Sequence, residues 1–86
     1  MADTATHDEL VTELVGYVAQ RRFDKIQARL REYGPPDLAD VLEALPREVE
    51  AVVFRLLGRE RALDTFEYLG LTSQERLIQG LGDREV

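Results

Sequence analysis

No cysteine occurs in the 86-residue chain, so disulfides, thiolate metal sites and cysteine nucleophiles are excluded together. Histidine occurs once, as His7, serine once, as Ser73, and tryptophan not at all. A lone serine without a histidine partner cannot form a nucleophile–base pair, and a lone histidine near the N-terminus is no basis for a metal or acid–base site. There is no run of about 18 apolar residues to span a bilayer. The opening Met1-Ala2-Asp3-Thr4-Ala5 also lacks the basic-then-apolar order of a secretory signal. Asn-Gly and Asp-Gly hairpin turns are missing, and apolar residues recur at three and four rather than two. With no strand signal, no Gly-rich phosphate loop has a strand to follow.

Positive charge is also scarce. Eleven Lys and Arg stand against 17 Asp and Glu, a net charge of −6. That balance disfavours the phosphate-neutralising contacts that dominate nucleic-acid affinity, so no nucleic-acid partner is expected. An acidic surface is better matched to a basic protein face or a hard divalent cation. The densest basic cluster, Arg21-Arg22 with Lys25, sits beside Asp24 without interleaved aromatics and reads as solvated surface. With 44% hydrophobic and 33% charged residues, the chain has the composition of a soluble globular protein. Its length allows one small domain, which buries only about 60% of its unfolded surface.

What the sequence does contain is a register. Tyr33-Gly34, Leu45-Pro46, Leu57-Gly58, Leu69-Gly70 and Leu81-Gly82 follow one another at intervals of twelve residues. Three residues before each pair stands another large apolar residue: Leu30, Leu42, Phe54, Phe66 and Ile78. That spacing places both on one helix face. Each glycine reads as a left-handed C-cap and Pro46 as the first turn of the next helix. Helices this short are marginal alone, so each needs its neighbours. The expected fold is all-α: a solenoid-like superhelix of short antiparallel helices packed on their sequence neighbours, of undetermined hand.

Individual segments fit this frame. A Thr6–Glu9 capping box opens a first helix from about His7 to Gln20, with Leu10, Leu14 and Val18 on its apolar stripe. Phe23, Ile26, Leu30 and Tyr33 form the second, which Gly34 and Pro35-Pro36 terminate. Pro36 begins a third, with Leu38, Val41, Leu42 and Leu45 inward and Asp37, Asp40 and Glu43 outward. The fourth, after Pro46, is apolar over a wide arc around Phe54 and is expected to be the most buried. The fifth runs from about Arg59 to Leu69 on Ala62, Leu63, Phe66 and Leu69. A Thr72–Glu75 box opens a sixth, carrying Leu77, Ile78 and Leu81. Asp83 to Val86 reads as the start of a further unit, which predicts a longer parent protein. Residues 1–7 are expected to be a flexible N-terminus and 8–86 the helical domain.

Carboxylate geometry is the one candidate chemistry. Asp37, Asp40 and Glu43 fall at i, i+3, i+6, and Asp64 with Glu67 repeats the i, i+3 step. Such a pair can face one ion, and magnesium binds through one or two carboxylates while keeping several waters. The plainer reading is a solvated acidic face. Asp37 and Asp40 stand near a helix N-terminus, where the dipole favours negative charge without any ligand.

The stretch Pro36-Asp37-Leu38-Ala39-Asp40-Val41-Leu42-Glu43-Ala44-Leu45-Pro46 resembles a segment of the intracellular N domain of MgtE-type magnesium channels. The resemblance continues through Glu48 to Leu57, Arg59 to Leu69 and Leu71 to Leu81, covering about residues 8 to 86. It implies a superhelical, non-enzymatic regulatory domain at the cytoplasmic face of the membrane, preceding CBS domains and a pore in a parent that is a homodimer. In that family, high magnesium holds the N domain against the acidic CBS region and favours closure. The family pattern assigns interfacial Mg2+ binding to the acidic position that is Asp64 here, and helix geometry adds Glu67. No membrane insertion by this segment is implied. The other reading is a protein-interaction scaffold similar to the helical N domain of the flagellar switch protein FliG, which would bind through apolar surface without a cation.

Overall fold

The computed structural model describes the backbone of residues 2–85 and the side chains of residues 7–80. These residues form six helices and no strand: α1 (Ala2–Gln20), α2 (Phe23–Leu30), α3 (Pro35–Ala44), α4 (Arg47–Leu56), α5 (Arg59–Phe66) and α6 (Leu71–Glu85). Four of the five register stops, Tyr33-Gly34 to Leu69-Gly70, fall in the connections between helices. The fifth does not, because Leu81-Gly82 lies within α6. A glycine inside a helix costs only about 1 kcal/mol relative to alanine, and no proline follows this one.

The glycines stop helices in different ways. Among the described glycines only Gly58 has a positive φ, +88°, whereas Gly34 is extended at φ −86°, ψ 171° and leads into Pro35. A stop outside the register closes α1. Arg21 takes the left-handed conformation at φ 59°, with its N–H on Val18 O at 3.0 Å and the Arg22 N–H on Tyr17 O at 2.9 Å. This is a Schellman closure built on arginine where glycine is usual.

Two expected helix starts are corrected. α1 begins at Ala2, so the backbone of Thr6 lies inside the helix, and its proposed capping bond falls outside the described side chains. Thr72 is the second residue of α6. The amide that precedes α6 is instead held from another helix, since Gly70 N–H donates to Glu43 Oε2 at 3.0 Å.

Packing follows alternate helices more than adjacent ones. α3 lies against α5 and α4 against α6, while the sequence neighbours α2–α3 and α5–α6 make little contact. α4 touches all five other helices, which explains its wide apolar arc. Burial, however, peaks in α3, where Leu38, Ala39, Val41 and Leu42 are all enclosed. In α4 only Glu50 and Val53 are buried. Phe54 is half-buried, its ring tilted 59° to that of Phe66 at 6.2 Å between centroids. The expectation that α4 is the most buried element therefore fails: its outer residues Val52 and Leu56 line an open cleft instead. Leu63 and Ile78, read as inward, are exposed, and Leu81 lies outside the described side chains. The radius of gyration, 12.1 Å, equals that of a compact globule of this length, about 12 Å.

Short helices leave many orphan carbonyls, and here side chains from distant helices serve them. Arg61 of α5 donates to Leu30 O at 3.1 Å and also to Tyr33 O, capping the end of α2. Gln27 of α2 donates to Leu56 O at 3.4 Å, and Gln74 of α6 to Phe66 O at 2.8 Å. A cation at a helix C-terminus also meets the negative end of the dipole. α1 and α2 are joined by Arg29, which pairs with Glu13 at 3.1 Å and Glu32 at 2.6 Å. Although desolvation opposes its charge, the hydrogen bonds to both carboxylates hold the guanidinium more firmly protonated than usual. Tyr17 O–H donates to the same Glu13 at 2.9 Å.

Candidate functional site

The five candidate carboxylates fall into two groups that the sequence does not distinguish. On α3, Asp37, Asp40 and Glu43 are exposed, as their spacing predicts. Glu43 alone of the three has a hydrogen-bonded partner among the described residues, Asp37 stands near a histidine, and Asp40, like Asp64 and Glu67, has neither. Asp37 Oδ1 lies 3.7 Å from His7 Nε2 of α1, and Glu43 caps α6 through Gly70. Asp37 in the first turn of α3 also gains from the helix dipole.

Asp64 and Glu67 have a different setting. Asp64 lies on α5, and Glu67 is the residue that caps its C-terminus; both side chains are exposed. Glu67 keeps helical geometry, φ −65° and ψ −23°. The i, i+3 relation therefore survives the end of the helix and leaves the two Cβ atoms about 5–6 Å apart. Among the described residues, neither carboxylate forms an ion pair or hydrogen bond. Glu67 also stands where the final carbonyls of α5 point, so negative charge accumulates at that end rather than being offset. Two exposed oxygen donors suit magnesium in kind. They do not complete a shell, for no group of three or more His, Asp or Glu side chains among the described residues is placed to hold a metal ion.

The most enclosed charge is one that sequence reasoning missed. Glu50 is 1% exposed, and its two oxygens face Arg76 Nε at 3.3 Å and Nη2 at 3.5 Å. The pair forms one wall of a cleft of about 560 Å³ between α4 and α6, whose lining includes Phe23, Arg47, Arg55 and Leu56. A signal for burial was present: Glu50 lies at i, i+3, i+7 with Val53 and Leu57, both buried. Nothing local indicates that Arg76, 26 residues away, is its partner.

The family model for the MgtE intracellular N domain matches residues 33–86, more than half of the chain. The matched span takes in α3 to α6 and leaves α1 and α2 before it. No curated protein matches the chain. Among the described residues no helix is long and apolar enough to cross a membrane.

Proposed function

Because the chain belongs to the MgtE intracellular N domain family, we propose that it is a cytosolic, non-catalytic regulatory domain of a magnesium transporter. In this reading it senses Mg2+ through Asp64 and Glu67 and docks on CBS domains of the same parent chain, favouring pore closure. The family match over residues 33–86, which includes α5, carries the proposal. The superhelical arrangement and the homodimeric parent belong to the same reading.

The physical case rests on charge. A domain of net charge −6 approaching an acidic partner is opposed by like-charge repulsion, and a divalent ion trapped at the contact converts that repulsion into shared coordination. Asp64 and Glu67 supply at most two protein ligands, so the free domain holds Mg2+ weakly and carboxylates of the partner complete the shell. Magnesium concentration thereby becomes docking probability. Asp64→Asn with Glu67→Gln in the parent transporter should shift closure to a different magnesium range and leave the domain folded. Closure over an unchanged range would show that these two residues are not the sensing ligands.

One observation favours the scaffold reading. Leu63, Tyr68, Leu71 and Ile78 are all more than half exposed on α5, its exit turn and α6. Such apolar surface suits a protein partner. Partner binding through this α5–α6 surface, rather than elsewhere, that persists in chelator would support that reading over the sensor.

A further inference from the structure

We propose that the cleft between α4 and α6 is a docking groove for an acidic amphipathic helix. Its lining includes an apolar set: Val52 and Leu56 are half-buried and Leu77 is buried. Phe23 of α2 stands at its edge, 41% exposed. A furrow between two packed helices is the shape that receives the ridge of a third, and an apolar furrow with a charged rim is how helix-in-groove recognition works.

Charge selects the occupant. The rim carries Arg47 and Arg55, and the wall carries Arg76, against Glu48 and Glu50. Glu50 is already matched by Arg76, so among the described lining residues the surplus is positive, on a chain whose net charge is −6. An acidic partner is repelled by the protein as a whole and attracted here, which fixes its orientation as well as its site. Arg47 and Arg55 are eight residues apart on α4, about 12 Å along the axis, and so face carboxylates two turns apart on the incoming helix. Arg47 is the first residue of α4, a position where the helix dipole disfavours a cation; helix stability does not account for it. The groove uses different residues from Asp64 and Glu67 and needs no metal, so this inference and the magnesium reading can fail separately.

The test uses a labelled helical peptide of about 18 residues, with leucines on one face and glutamates flanking them, added to the whole chain in chelator at low salt. Fluorescence anisotropy should report binding, and amide shifts should concentrate at Phe23, Val52, Leu56 and Gly80. A counterpart with lysines for the glutamates should not bind. Arg47→Glu with Arg55→Glu should weaken the acidic peptide at least about tenfold. Gly80→Leu provides a second, steric arm. Gly80 lines the cleft, and a Cβ built there meets nothing within 4 Å, so a side chain should block the groove without disturbing the helix spectrum. The proposal is overturned if the acidic peptide binds no better than about 1 mM, or if both variants bind it like the parent. It is also overturned if inorganic phosphate at equal concentration reproduces the same shifts, which would make the cleft a small-anion site.

Discussion

Arg76→Ala should destabilise the domain far more than Glu50→Gln, although the two residues form one ion pair. The difference follows from their exposure. The Arg76 side chain is 27% exposed and the Glu50 side chain 1%, so an abandoned guanidinium can hydrate while an abandoned carboxylate cannot. Breaking a buried pair from the side that orphans the other charge costs about 3–5 kcal/mol. Truncating Arg76 also opens the cleft wall to water, which reduces the expected loss to about 2–4 kcal/mol. Glu50→Gln keeps the shape and one acceptor for Arg76, and should cost about 1 kcal/mol. Replacing both by leucine removes the desolvation penalty with the pair and should return the domain to within about 1 kcal/mol of the parent. A chain of this length has about 4–13 kcal/mol in total, so these differences are measurable by urea unfolding followed by helix circular dichroism. If Arg76→Ala lies within about 0.5 kcal/mol of the parent, Glu50 finds water without its partner, and the enclosure of α4 against α6 is wrongly described.

Phe54→Ala should cost about 1.5–3 kcal/mol in the same assay, less than a fully enclosed phenylalanine, because the ring is half-buried against Phe66; a loss under about 1 kcal/mol would remove it from the core. Arg21→Gly should stabilise by about 0.5–1 kcal/mol by relieving the left-handed arginine at the end of α1, and destabilisation would mean that the Schellman closure is not formed. The hydrogen bond from Tyr17 to Glu13 holds the phenol protonated above its ordinary pKa of 10.0. Its contribution is therefore present below about pH 10 and lost as pH rises through the folded pKa. Unfolding measured upward from about pH 9 should show this loss in the parent and not in Tyr17→Phe.

Helix number and most boundaries were legible because Gly and Pro interrupt the apolar period at fixed steps. The stop at Arg21 was not, since arginine carries no local signal for a positive φ. The continuation of α6 through Gly82 was not, because a single glycine weakens a helix without ending it. Alternate-helix packing was also hidden: amphipathic stripes show which face is buried but not which helix covers it. That is why α3, not α4, proved the most enclosed element, and why Arg61 reaching the end of α2 could not be foreseen. At the candidate site, the exposure of Asp64 and Glu67 follows from spacing alone. The hydrogen bond that Glu43 accepts from Gly70, and the approach of His7 to Asp37, depend on contacts that only the folded chain creates.

Whether Asp64 and Glu67 are the magnesium-facing carboxylates is decided by amide NMR of this chain titrated with MgCl2 against NaCl of matched ionic strength. Magnesium should give weak shifts, saturating only at high concentration, clustered around Asp64 and Glu67 and abolished by Asp64→Asn with Glu67→Gln. Shifts of equal size at Asp37, Asp40 and Glu43, or shifts that NaCl reproduces, would contradict that assignment and leave the acidic surface as a solvated face.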